Sequence, residues 1–177
     1  NQVRLGAGNA ATLLSGTDVV IDTTDHWQTR FAVADVCLQL GVPLVWGSVV
    51  SWDGLLTVFA PGKGNPTLDD LVDRELQLTA EAPNCATVGV FAPLVAEIGS
   101  AMAGEALRIV TGSGARLIGT VRSWNGRTGT VRELPLAAKV PADVLEPSAP
   151  ESAAARPLRP SIRPEERILD VRPATHP

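Results

Sequence analysis

Apolar positions come first in short bursts and later in longer stripes. Asn9 to Leu14 reads as a short helix closed by the turn-forming pair Ser15-Gly16, and Asp18 then leads into the apolar triplet Val19-Val20-Ile21, a buried strand. From Trp27 to Leu40, apolar residues at Trp27, Phe31, Val33, Ala34, Cys37, Leu38 and Leu40 follow a helical period, with Gly41 as the C-terminal stop. Val42 to Gly47 is a second buried strand, with Pro43 near its start, where a missing N–H is tolerated. Strand, helix and strand within about 30 residues form a βαβ unit, for which a right-handed crossover in a parallel sheet is expected.

The pattern then changes. Val49 to Phe59 places Asp53-Gly54 between β-rich runs, which predicts a hairpin and an antiparallel turn of the sheet. Ala60 to Asn84 carries Pro, Gly, Asp and Glu with little periodicity outside Leu68 to Leu78, and predicts a long mobile loop with one helical turn. Val90 to Thr111 is the strongest helix: Phe91, Leu94, Val95, Ile98, Met102, Ala106, Leu107 and Val110 make its stripe, and Gly112 ends it. Ala96, Ser100 and Gly104 recur at every fourth position and predict a close backbone approach, while Glu97 and Glu105 read as a solvated face. Arg116 to Trp124 and Thr128 to Leu134 flank Asn125-Gly126 as a second, half-exposed hairpin.

Past about Ala137 the composition shifts to Pro, Ala, Ser and Glu, and Pro141 to Arg163 reads as a linker without a packed core. Arg167 to Arg172 follows as a lone strand-like hexamer, the expected start of a further domain. The chain opens on Asn1 and its single methionine is Met102, so it reads as a piece of a longer protein.

Composition narrows the function classes. The 177 residues, 45% hydrophobic, suffice for one ordinary domain with a core. A formal charge of −4 gives no basic footprint for nucleic acid. No apolar run approaches the roughly 18 residues of a membrane span, and no basic-then-apolar leader opens the chain. A soluble, cytoplasmic protein with neither nucleic-acid nor membrane partner is the expectation.

Candidate chemistry sits in three places. Asp22 and Asp25 follow the first strand at its carboxyl end, where open α/β sheets hold ligands and where a carboxylate suits Mg²⁺ or a phosphate-bearing substrate. Asp25 also immediately precedes a helix, so by position alone capping is the more economical role. Cys85 lies between the 60–84 segment and the long helix, where a helix N-terminus could lower its pKa, whereas Cys37 on a helical stripe reads as core. Neither spacing suggests a disulfide or a metal site, and Gly6-Ala7-Gly8 lacks the setting of a dinucleotide loop.

In order along the chain, the runs Asp18 to Arg30 (DVVIDTTDHWQTR), Gly41 to Gly47 (GVPLVWG), Trp52-Asp53-Gly54, Cys85 to Pro93 (CATVGVFAP), Gly104 to Gly112 and Leu117-Ile118-Gly119 resemble the ThiF/MoeB (HesA/MoeB/ThiF) family. Its members are sulfur-carrier adenylyltransferases related to ubiquitin-activating enzymes. The resemblance covers about Val3 to Leu136 and implies an α/β fold, the C-terminal part of a Rossmann-like ThiF-type domain whose parallel strands continue into antiparallel hairpins.

The resemblance implies formation of an acyl-adenylate on the C-terminal glycine of a ubiquitin-like sulfur carrier protein, from ATP and Mg²⁺, in molybdenum cofactor or thiamine-type pathways. By position, Asp25 takes the Mg-ATP role, His26 a nucleotide contact where the family usually has Asn, Cys85 a part in sulfur transfer or a covalent carrier intermediate, and Arg30 the orientation of the Asp25 loop by ion pairing. Asp22 is left as loop support. The Cys-x-x-Cys pairs of many members are missing, so zinc is not expected.

The family's glycine-rich nucleotide loop would precede Asn1. A homodimer is implied, and a non-catalytic dimerisation or carrier-binding module is the alternative. The predicted domains are 1–136 for the adenylyltransferase part, 137–163 for the linker and 164–177 for the start of a rhodanese-like domain, whose first strand Ile168 to Arg172 resembles.

Overall fold

The structure, a computed structural model, describes residues 3–79, 85–114 and 117–139; the side chains of Cys85 and Ala86 lie outside that description, as do the predicted linker from Pro141 onward and the strand-like hexamer Arg167 to Arg172. Helix α1 (Ala10–Leu14) precedes strand β1 (Val20–Asp22), helix α2 (Trp27–Leu40), β2 (Leu44–Val50) and β3 (Asp53–Phe59). Short helices α3 (Leu68–Leu71), α4 (Arg74–Thr79) and α5 (Cys85–Val88) lead to the long helix α6 (Ala92–Val110), and β4 (Thr120–Asn125) and β5 (Thr130–Pro135) follow.

The five strands form one sheet in the order β1-β2-β3-β4-β5. β1 and β2 pair in parallel, with Asp22 opposite Trp46, and every later pair is antiparallel. Gly41 adopts φ +67° and ends α2, turning the chain back into β2, so the expected βαβ unit is present.

Alternation along β2 assigns its side chains to two cores. Leu44 and Trp46 join Val20, Phe59 and the α2 residues Phe31, Val33 and Cys37 on one side. Val45 joins Leu56, Val58 and Trp124 against Leu94, Ile98, Met102 and Ala106 of α6 on the other.

Several expectations change. The β2–β3 connection is the pair Ser51-Trp52, because Val50 pairs with Asp53; Asp53-Gly54 lies inside β3. Gly54 is needed there for a packing reason: a Cβ at Gly54 would collide with Ile98, and one at Gly47 with Met102. The close backbone approach to α6 thus comes from glycines of the sheet, while Ala96 and Ser100 are exposed. Glu105, expected in solvent, is 1% exposed and pairs with Arg108, whereas Glu97 is exposed as expected and accepts a hydrogen bond from the Trp124 indole at 2.7 Å. Leu38, Leu40, Val95 and Leu107, counted on helical stripes, are exposed. Periodicity locates a stripe but not its width.

The described part of the predicted mobile loop, 60–79, is docked. Leu68 is buried, and Asp70 accepts from the Thr67 N–H at 2.7 Å to close the start of α3. Arg74 forks onto Asp35 of α2 and onto Asp69, with its guanidinium 4.4 Å from the centroid of the Phe31 ring.

Candidate functional site

The site begins where β1 stops. Asp22, its last residue, points into the α2-facing core and is fully buried. A buried carboxylate needs donors, and the Thr24 backbone N–H donates to Asp22 Oδ1 at 2.8 Å. Burial pushes the Asp22 carboxyl above its ordinary range, and the Thr24 hydrogen bonds and the charge of Arg30 pull it only part of the way back.

Arg30, one turn into α2 and likewise buried, donates from Nε and Nη2 to the Thr24 carbonyl oxygen at 2.9 and 2.6 Å. Its guanidinium lies 4.9 Å from the Trp27 ring centroid and 5.2 Å from that of Trp46, where the flat cation meets two aromatic faces. Both backbone polar groups of Thr24 are therefore held by charged, buried side chains.

Asp25 is the next residue and faces outward. Its side chain is 32% exposed, and His26 Nδ1 donates to Asp25 Oδ1 at 2.6 Å, with the His26 side chain 58% exposed. His26 is the residue before α2 and makes no side-chain cap bond, nor does Asp25 cap the helix. The structure thus brings Asp25 and His26 together on the rim and turns Asp22 inward.

Cys85 is carried by a different segment. Gly89 and Phe91, just beyond α5, bracket Ser51 in a parallel bridge: the Ser51 N–H donates to the Gly89 carbonyl at 3.0 Å and the Phe91 N–H to the Ser51 carbonyl at 2.8 Å. This fixes the backbone that follows Cys85 at the end of β2, the strand beside β1. Around that contact Trp52 stacks on Phe91 at 4.7 Å, and Arg127 lies over the Trp52 ring at 5.1 Å. Cys37 is core, as expected: burial, with the nearby charge of Asp22, pushes its thiol up to about 12, which leaves it inert.

Asp25 offers one outward carboxylate, and among the described residues no three His, Cys, Asp or Glu side chains gather to hold a metal alone. A lone surface carboxylate suits Mg²⁺, which is commonly held by one or two carboxylates together with substrate phosphates. Sequence reasoning missed the roles of Thr24, Trp46 and Arg74. The i, i+3 spacing of Trp27 and Arg30 was the available signal for the first cluster.

The sheet, parallel and then antiparallel, has a ThiF-like, E1-type fold. Structures of Escherichia coli MccB share it: the complex with AMPCPP and selenomethionyl MccA has a TM-score of 0.61 at 12% identity, covering 78% of this chain and 42% of that chain. The complex with ATP has a TM-score of 0.56 at 13% identity, covering 76% and 41%. The chain belongs to the ThiF family, whose model matches residues 1–144.

Among its relatives, the sulfur carrier protein adenylyltransferase of Thermus thermophilus is 36% identical over 136 residues, 75% of this chain and 50% of that protein. The adenylyltransferase and sulfurtransferase MOCS3 of Caenorhabditis briggsae is 34% identical, over 80% of this chain and 35% of that protein. The probable adenylyltransferase/sulfurtransferase MoeZ of Mycobacterium tuberculosis is 32% identical, over 79% and 38%. The chain spans half or less of the length of these relatives. No helix among the described residues is long and apolar enough to cross a membrane.

Proposed function

We propose that this chain supplies part of the catalytic domain of an enzyme that adenylylates the C-terminal glycine of a ubiquitin-like sulfur carrier protein. A carboxylate oxygen of the carrier attacks the α-phosphorus of ATP, the bond to the β-phosphate oxygen breaks, and pyrophosphate leaves. The observation that carries this reading is Asp25, presented outward at the carboxyl end of β1 by a loop whose preceding residue is gripped on both sides by Asp22 and Arg30.

Asp25 would hold Mg²⁺ together with the phosphates, and the bound metal would supply charge to neutralise them and the departing pyrophosphate. His26 orients the Asp25 carboxylate and contacts the nucleotide. The first turn of α2, uncapped by any side chain, leaves N–H groups facing the same rim, where negative charge is favoured. A fixed loop matters because nucleotidyl transfer depends on positioning and charge rather than on covalent help from the protein.

Cys85 acts afterwards, in sulfur transfer or as a covalent link to the carrier; attachment of its segment to the end of β2 supports this. The relatives named as both adenylyltransferase and sulfurtransferase support reading 1–136 as the adenylyltransferase part, 137–163 as linker and 164–177 as the start of a rhodanese-like domain. The exposed Val95 and Leu107 of α6 support a homodimer. The place of action is the cytoplasm, and the pathway is of molybdenum cofactor or thiamine type.

The test is ATP–pyrophosphate exchange with a sulfur carrier, in the protein that carries this chain and in its Asp25→Ala variant. Loss of several kcal/mol of charge stabilisation predicts a fall of at least about 100-fold. Undiminished exchange would remove Asp25 from the mechanism, and exchange absent from both proteins would favour the carrier-binding module.

A further inference from the structure

After β5 the chain forms a short strap that ends on α3. The near end of the strap is held by Leu136, whose N–H donates to the Gly119 carbonyl at 2.9 Å and whose side chain packs against the α2-facing core. The far end is Lys139. Its N–H donates to Asp70 Oδ1 at 2.6 Å, and its ammonium donates to the Asp69 carbonyl at 3.0 Å. Local chain geometry does not bring these groups together, since the partners lie 69 and 70 residues apart.

Asp70 serves two segments with one carboxylate. Oδ2 accepts from the N–H and the hydroxyl of Thr67, at 2.7 and 2.9 Å, and so starts α3, while Oδ1 accepts from Lys139. Asp69 carries the contact further: its carboxylate takes two bonds from Arg74, whose guanidinium also grips Asp35 of α2. A continuous set of hydrogen bonds, most of them charge-assisted, therefore runs from the strap through α3 and α4 to α2.

Exposure decides what such a set can do. Lys139 and Asp69 are exposed and Asp70 is half-buried, so water replaces each bond as it opens and opening leaves no buried group unpaired. We propose that Asp70 latches the strap 136–139 to α3, so that the strap and the segment 67–79 open and close as one unit. The chain continues beyond Lys139 to Pro177, and a pull or a partner acting on that continuation is transmitted to the segment that leads along the chain towards Cys85. The latch itself does not rest on the proposed adenylylation.

Hydrogen–deuterium exchange at residue resolution, in the protein that carries this chain, tests the latch. The wild-type Lys139 amide is expected to exchange slowly although its residue is exposed. In Asp70→Ala it should exchange at least about tenfold faster, as loss of a bond to a charged acceptor predicts. Lys139→Pro removes the donor and leaves the Thr67–Asp70 cap intact. It is expected to speed exchange at Val72 and Gln77, whose amides are bonded to the Leu68 and Asp73 carbonyls, with the Leu136 amide unchanged. A fast Lys139 amide in the wild type, or Val72 and Gln77 unaffected by Lys139→Pro, overturns the proposal. So does an equal rise at Leu136, which marks general destabilisation. Should Lys139→Pro fail to fold, Lys139→Met, which removes only the ammonium bond, is expected to give a smaller rise at Val72 and Gln77; no rise there overturns the coupling.

Discussion

Arg30 clasps the Thr24 carbonyl oxygen with two donors at 2.9 and 2.6 Å, across the turn that separates β1 from α2. A guanidinium buried between Trp27 and Trp46 is tolerated because its fork is bonded and its faces are stacked. Removing it leaves that carbonyl without its two donors and uncovers the Asp22 charge. Arg30→Ala is expected to lower stability by about 3 kcal/mol, and Arg30→Lys, which keeps the charge and loses the fork, by less. Urea denaturation checks this: the midpoint should fall in that order with the slope unchanged. Equal losses for both variants would mean that the charge contributes nothing and the fork carries the whole effect.

Gly54 and Gly47 let α6 lie directly on the sheet. An added methyl meets Ile98 at the first position and the flexible Met102 chain at the second. Gly54→Ala should cost about 1–3 kcal/mol by overpacking, and Gly47→Ala less, because methionine yields more easily. Thermal unfolding of the two single variants would settle the order, and a neutral Gly54→Ala would contradict the packing described.

Ser51 carries the one positive φ among described non-glycine residues, +55°, in the two-residue turn between β2 and β3. Left-handed backbone strains a side-chain-bearing residue, and glycine relieves that strain while adding entropy to the unfolded chain. Ser51→Gly should therefore leave stability unchanged or raise it by up to about 1 kcal/mol. A clear loss, measured by calorimetry, would show that the serine side chain itself holds the turn.

Asp70 sets an acid dependence. Burial opposes its ionisation, but the N–H groups of Lys139 and Thr67 more than compensate, so the folded carboxyl titrates below its ordinary 3.8. The stability it contributes is present above that ordinary value and is lost as pH falls through the lower, folded one. Asp70→Asn cannot titrate. The difference in melting temperature between wild type and variant should be largest near neutral pH and shrink in acid; a constant difference would contradict the shift.

Much of the fold was legible because local pattern and tertiary role agreed. The Gly41 stop, the strands on either side of α2 and the hairpin at Asn125-Gly126 follow from propensity and turn chemistry that act over a few residues. Asn125 even supplies the turn's acceptor, its Oδ1 taking the backbone N–H of Arg127 and Thr128 at 3.1 and 3.0 Å. Asp53-Gly54 misled for the opposite reason: contact with Ile98, distant in sequence, requires that glycine inside a strand.

By itself the sequence determined the order of the strands and of α1, α2 and α6, the parallel pair and the carboxylate-bearing turn at its end, since each is encoded in residues adjacent along the chain, whereas α4 and α5 went unread. Only the tertiary structure decided which carboxylate turns inward, that Glu105 is buried, and that Arg74 pins the 60–79 segment to α2. Arg74 reaches Asp35, far away in sequence, whereas Asp22 and Glu105 have partners close along the chain, at Thr24 and Arg108, and are buried because β1 and α6 pack with those positions inward. A charged side chain is buried only where a partner compensates its lost hydration, and even a partner that is local does not record which way the side chain will face once the elements pack.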